Sequence, residues 1–209
     1  MTPSFSIEVL TLPQIRELYK SRMVQDFPAN ELKPLSMIER ALARGEYAAY
    51  GALAEGEALA YAYFVLRQEE GPCFALLDYL AVKKELRDTG IGSRFLQSLI
   101  TGPLAGMASA LLEVDDPALT PDPKEKALRE RRLRFYLRNG LNDTGVTARV
   151  FGAAFRVLAL PIGPAPSRQE TGRMYEALYR VMLPPRLYDA NVFISCGQEL
   201  KKEEGEGRR

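Results

Sequence analysis

Two closely spaced glycines behind an apolar run are the residues of this chain best placed to hold a ligand. Leu76-Leu77-Asp78-Tyr79-Leu80-Ala81-Val82 reads as a buried strand. Arg87-Asp88-Thr89-Gly90-Ile91-Gly92-Ser93 reads as a charged turn that opens a helix with Ile91, Phe95, Leu96 and Leu99 on one side. A helix that is just beginning leaves backbone N–H groups without intrahelical partners, and the positive end of its dipole lies at the same place. Together these attract phosphate. Gly90 and Gly92 have no Cβ, so a bulky anion can lie against the main chain there. Taken alone, the spacing fits a glycine-containing turn before an ordinary packed helix about as well.

Proton transfer must be assigned to other residues. Histidine is absent, which removes imidazole bases and the commonest metal ligand and leaves carboxylates, tyrosines, lysines or water. Asp78 lies inside the apolar strand, and alternation puts it on the side of Leu76 and Leu80, a buried face where a carboxylate needs a reason. Either it works on a ligand, or it holds a structural hydrogen bond to a backbone group or a tyrosine. Glu113, in the apolar stretch Leu111-Leu112-Glu113-Val114, is a comparable candidate. Tyr136 beside Phe135 is either a packed aromatic or a proton donor.

Composition sets the bounds. A chain of 209 residues is long enough for one well-packed α/β domain. A net charge of +1 gives no electrostatic case for nucleic acid or an anionic membrane surface. No signal-like start is read, nor any apolar run near the roughly 20 residues of a membrane helix. Cys73 and Cys196 are the only cysteines. They read as spectator thiols of a reducing cytosol, with neither a disulfide nor a metal site expected.

The elements that must position these groups follow from patterning. Residues 5–10 alternate as a strand, and Thr11 with Gln14 forms a capping box for a helix that Pro28 ends. Ser36 with Glu39 repeats the device for a helix closed by Gly45. Residues 47–53 and 58–66 form a hairpin, residues 68–72 turn, and residues 73–82 make the strand before the glycine loop. A strand over 108–114 follows, then a helix with Asp122 and Glu125 as capping box and Pro123 in its first turn, ending at Asn139-Gly140. Residues 146–160 read as one long strand bent at Gly152, residues 163–171 as a Pro-rich loop, and residues 175–183 as a last strand or short helix. One domain over 1–183, an extension over 184–200 and a charged, disordered tail over 201–209 complete the organisation.

This order, β-α-α-β-β-β-α-β-α-β-β, and three motifs within it resemble the GCN5-related N-acetyltransferase (GNAT) superfamily. Arg87-Asp88-Thr89-Gly90-Ile91-Gly92 matches the superfamily's Gln/Arg-x-x-Gly-x-Gly/Ala signature. Phe135-Tyr136-Leu137-Arg138-Asn139-Gly140-Leu141 matches Phe-Tyr-x-x-x-Gly-Phe except for Leu141. Leu111-Leu112-Glu113-Val114 resembles the strand that splays from the glycine-loop strand to admit a cofactor. The resemblance implies a mixed α/β sheet of about six to seven strands flanked by about four helices. It also implies acetyl-CoA as co-substrate, with no metal, and a primary amine of unknown identity as acceptor. The protein would be cytoplasmic, a monomer or homodimer, without nucleic-acid or membrane partners.

By the same resemblance, backbone amides of Leu80, Ala81 and Val82 meet pantetheine and the thioester carbonyl. Arg87, Asp88, Thr89, Gly90, Ile91, Gly92 and Ser93 hold the pyrophosphate, Asp88 through its backbone alone, since its carboxylate repels phosphate. Tyr136 is the general acid, against packing beside Phe135. Asp78, and after it Glu113, are candidates for base or amine anchor, with a water chain as a further option. Arg129, Arg131, Arg132, Arg134 and Arg138 read as a solvated face, one of which could reach the adenosine 3′-phosphate. A non-catalytic acyl-CoA-binding sensor is the alternative reading.

Overall fold

The structure, a computed structural model, describes residues 3–29, 31–67 and 73–197. The turn expected over 68–72 and the tail over 201–209 lie outside the described residues. A single eight-stranded sheet organises the chain, in the order β1-β2-β3-β4-β5-β7-β6-β8, against the six to seven strands expected.

β1 (Ser6–Val9) leads into α1 (Leu12–Leu18), whose start is fixed as the sequence predicts, with Gln14 Oε1 accepting from Thr11 N at 2.8 Å. The helix continues through a π-helical stretch, Tyr19–Met23, into the short α2 (Val24–Asp26). α3 (Leu35–Ala43) begins two residues earlier than a Ser36 cap would set it, after Pro34, and Glu39 pairs with Arg16 at 2.7 Å rather than closing a capping box with Ser36. β2 (Tyr47–Ala54) and β3 (Glu57–Arg67) form the hairpin, and β4 (Phe74–Val82) follows it. A 3₁₀ turn, Lys84–Leu86, and the glycine loop then open α4 (Ile91–Thr101).

β5 (Ser109–Asp115) is the parallel neighbour of β4. α5 (Pro123–Arg138) starts at Asp122, whose Oδ1 accepts from Lys124 N at 2.9 Å. The reciprocal half of that expected box is not made, because Glu125 pairs with Arg129 at 2.9 Å.

The largest departures from the sequence reading come after residue 141. The expected single strand over 146–160 is two antiparallel strands, β6 (Asn142–Val150) and β7 (Ala153–Ala159). They are joined by Phe151 and Gly152, both at positive φ (46° and 84°), the geometry of a tight hairpin turn rather than a bend. Residues 163–171 hold a helix start inside the expected loop: Ser167 N donates to Glu170 Oε2 at 2.8 Å, and α6 (Arg168–Met182) runs through the stretch read as strand or short helix. α7 (Pro185–Asn191) and β8 (Val192–Ser195) follow, and β8 pairs with β6 in the same sheet.

Two apolar clusters cover the two faces. One packs Ile15, Leu18, Met23, Ile38, Tyr175 and Leu178 of the early helices, α3 and α6 on Tyr47, Tyr61, Tyr63, Leu76 and Tyr79. The other packs Ile91, Phe95, Leu96 and Leu99 of α4 and Tyr136 of α5 on Phe64, Leu77, Leu112 and Val114. Among the described residues no helix is long and apolar enough to cross a membrane.

Candidate active site

β4 and β5 pair only from Phe74–Ser109 to Leu77–Leu112. Beyond that point they part: Glu113 to Asp115 of β5 pair with β7, and β4 runs on to Val82 with β3. At the same place β4 carries one residue too many. Tyr79 lies opposite Tyr63 and Leu77 opposite Phe64, so Asp78 is the extra residue of a bulge. The bulge corrects the simple alternation read from sequence. Leu76 packs in the cluster beneath α6, but so do Tyr79 and Ala81, while Leu80 and Val82 join the cluster beneath α4. Asp78 therefore shares a face with Leu76 and not with Leu80.

The ladder also says where the main chain of β4 points. Lys83 N donates to Leu59 O at 2.8 Å, and antiparallel pairs alternate between bonded and non-bonded. Ala81 thus turns its main-chain groups to β3, and Leu80 and Val82 turn theirs into the parting. Val82 O there accepts from Arg87 Nε at 3.2 Å.

The glycine loop stands at the mouth of this parting. Gly90 caps α4 at φ +88°, a conformation that costs a non-glycine residue about 1–2 kcal/mol. The first intrahelical bond runs from Arg94 N to Gly90 O at 3.1 Å, so the N–H groups of Ile91, Gly92 and Ser93 precede it. A Cβ on Gly92 would stand 3.2 Å from Val82 Cγ2 and 3.4 Å from Phe135 Cζ. The helix start is therefore pressed against both the end of β4 and α5.

The side chains around the loop are held by neighbours. Arg87 donates to Asp26 Oδ1 at 2.8 Å. Asp88 is exposed and takes Arg131 Nη2 on both carboxylate oxygens, at 3.0 and 2.9 Å, which turns its charge outward. Thr89 Oγ1 donates to Leu86 O at 2.6 Å. Arg132 pairs with Asp115 at 3.0 Å and Arg134 with Glu130 at 3.4 Å, both well exposed.

Tyr136 lies just inside. Its ring meets Phe135 edge-on at 5.1 Å, and it is buried in the cluster with Leu77, Leu112 and Val114. Burial pushes its phenol up from the ordinary tyrosine value, with Arg132 pulling the other way. The two candidate carboxylates lie on the opposite face. Asp78 accepts from Lys33 Nζ at 2.6 Å and from the Tyr47 hydroxyl. Glu113 accepts from the hydroxyls of Tyr175 and Tyr179, both on α6. The parting of β4 and β5 thus lies between the tyrosine on one face and the carboxylates on the other.

Burial raises the Glu113 carboxyl, the two tyrosine hydroxyls pull it down, and Asp78 and Lys33 act on it with opposite signs. Raised in the folded state, the group binds more protons folded than unfolded once pH climbs past its ordinary value of 4.5. Its contribution to stability is therefore full below that value and declines as pH rises through the folded pKa. Glu113→Gln should flatten this decline: relative to the wild type, the variant gains stability as pH rises above 4.5, read by denaturant titration at a series of pH values. A difference that does not change with pH would refute the shift.

Lys33, Tyr47, Tyr175 and Tyr179 are the functional neighbours that sequence reasoning did not single out as partners. The tyrosine pair at i and i+4 had a signal, since Ser167 and Glu170 spell a capping box that makes α6 a helix and puts both rings on one face. Lys33 had none. Its loop is brought to the sheet by Tyr79, whose hydroxyl accepts from Lys33 N at 2.8 Å and donates to Glu31 O at 2.9 Å. Cys73 and Cys196 are both free, and burial raises the Cys73 thiol. Among the described residues no group of three or more acidic, cysteine or histidine side chains is arranged to hold a metal ion.

The family model described as "Acetyltransferase (GNAT) family" matches residues 12–117, from α1 to just past β5. No curated protein sequence matches the chain significantly. Among solved structures, a GNAT-family protein from Bacteroides thetaiotaomicron superposes with a TM-score of 0.62 at 16% identity, covering 86% of this chain and 99% of its own. Naa50 of Arabidopsis thaliana, solved with a bisubstrate analogue CoA-Ac-MVNAL, superposes with a TM-score of 0.56 at 17% identity, covering 76% and 99%. An aminoglycoside 6′-N-acetyltransferase complexed with coenzyme A gives 0.54 at 19% identity, covering 78% and 99%. At these identities the likeness is one of fold.

Proposed function

The chain belongs to the acetyltransferase (GNAT) family, and on that premise we propose that it moves an acetyl group from acetyl-CoA to a primary amine by direct transfer. The observation that carries this reading is the meeting of three things at one corner. They are the opened main chain of Leu80 and Val82, the unpaired helix start at Gly90 to Ser93, and a buried tyrosine one residue from the Phe135 that touches that start. The missing Cβ at Gly92 lets the helix start sit against Val82 and Phe135, which a side chain there would push away, and the N–H groups of that start fit a diphosphate. The Leu80 and Val82 groups fit the amide-bearing arm of coenzyme A, which pairs along a strand edge as a further strand would.

Acetyl-CoA supplies an acyl group activated as a thioester; the chain supplies position and protons. In the transfer the new N–C bond forms as the C–S bond breaks, one proton leaves the amine and one reaches the thiolate. Tyr136 is the proton donor: a phenol is protonated through the neutral range, and burial moves it further in that direction. Glu113, lifted by burial, is the better-matched acceptor of the amine's proton. Asp78, which already faces one ammonium, suits the anchoring of another. Direct transfer is favoured over a cysteinyl intermediate because the Cys73 thiol is raised rather than lowered. Both cysteines being free suits a reducing cytosol as the place of work.

The test is release of free thiol from acetyl-CoA across a panel of primary amines. Amine-dependent release with matching formation of N-acetylated product supports the reading. Tight acetyl-CoA binding with no release on any amine overturns it in favour of an acyl-CoA-binding sensor.

A further inference from the structure

Lys33 and Tyr47, the two partners of Asp78, also line a cleft of about 420 Å³ between α3 and the junction of α6 with α7. Its floor is deeply buried, with Tyr47 at 6%, Val65 at 1% and Ile38 at 1% exposure. Ala41 of α3 faces it from one side and Met182 of α6 from the other. Its rim is open: Leu187 is 47% exposed, and Arg40 and Arg44 stand beside Glu46. Glu46 is taken by Arg44 at 2.6 Å, so two cations against one anion leave the rim with a positive excess.

Resting on the acetyltransferase reading, we propose that this cleft is the acceptor site and that it takes a primary monoamine with an apolar body. The ammonium replaces that of Lys33 on Asp78, and the body lies between α3 and α6. Lys33 is itself a primary alkylamine, and it is partly exposed at 24%, so its head can leave for solvent as the ligand's head arrives. The exchange swaps one ammonium for another and puts no unpaired charge into the interior, the condition that makes burial of a cation tolerable. Cleft size and lining suit a small organic molecule held by an apolar wall and one oriented polar group. The arginine-rich rim argues against a polyamine, whose second ammonium would meet like charge there. α6 lines this cleft with Val181 and Met182 and holds Glu113 with Tyr175 and Tyr179, so the helix that grips the amine's body also positions the carboxylate that would take its proton.

Binding of hexylamine, spermidine and a short peptide with a free amino terminus is measured by calorimetry on the full chain, alongside acetyl-CoA. Hexylamine is expected to bind more tightly than spermidine or the peptide. Ala41→Phe, which fills the cleft from a partly buried wall, should weaken hexylamine by about tenfold or more and leave acetyl-CoA affinity unchanged. Leu187→Lys, at a surface position that keeps the fold, should weaken it in the same direction. Unchanged hexylamine binding in both variants, or tighter binding of spermidine or peptide by the wild type, overturns the proposal. Failure of the wild type to bind acetyl-CoA instead overturns the transferase reading, and the amine measurements still decide what the cleft holds.

Discussion

Tyr136→Phe is expected to lower kcat by about 10²–10⁴-fold, the range that a positioned acid supplies, and to leave acetyl-CoA affinity within about twofold. The substitution removes one oxygen and keeps the ring, so the edge-on contact with Phe135 and the burial against Leu77, Leu112 and Val114 survive. Neither cofactor hold nor fold has reason to change. What is lost is the phenolic proton, which a tyrosine carries at neutral pH. Steady-state kinetics with a direct binding measurement separates the roles: a packing residue moves kcat and affinity together or moves neither. A variant with near wild-type kcat would remove Tyr136 from the chemistry.

Gly92→Val should cost acetyl-CoA affinity about tenfold or more and stability about 1–3 kcal/mol. Its Cβ would already stand 3.2 Å from Val82 Cγ2, and a branched side chain adds two methyls in the same crowd with Phe135. To admit them α4 must move from the end of β4, and the helix-start amides move with it. Gly90 makes the informative contrast. Nothing lies within 4 Å of a Cβ there, but its φ of +88° is strained for any side chain. Gly90→Ala should therefore lower stability more than it obstructs the ligand. Calorimetry with coenzyme A and denaturant unfolding read the two effects apart. Unaltered coenzyme A binding in a folded Gly92→Val protein would move the diphosphate away from this corner.

What the sequence made legible is local. The strand, glycine loop and helix around Gly90, the capping by Thr11 and Asp122, and the α5 ending at Asn139-Gly140 all follow from neighbours within a few residues. The stretch 146–160 misleads because its apolar residues continue across Phe151-Gly152, where a two-residue turn with positive φ reverses the chain without any polar interruption. The prolines over 163–166 draw attention from Ser167 and Glu170 immediately behind them, and α6 is lost with them. The bulge at Asp78 is invisible to an argument that assumes strict alternation. It appears only when the strand is set against β3. Lys33 meets Asp78 across 45 positions of sequence, so no local pattern could have paired them.

β4 is two half-strands with opposite handedness of pattern, joined at Asp78. In the first half the even-numbered side chains look toward α6, and in the second half the odd-numbered ones do. Pairing Asp78 into the ladder in place of the bulge would make the pattern uniform, and it would send Tyr79 and Ala81 toward α4 while driving Leu80 and Val82 among the tyrosines. A chain that keeps Asp78 cannot straighten this strand without exchanging the linings of its two compartments, so the irregularity is what holds each apolar cluster to its own side.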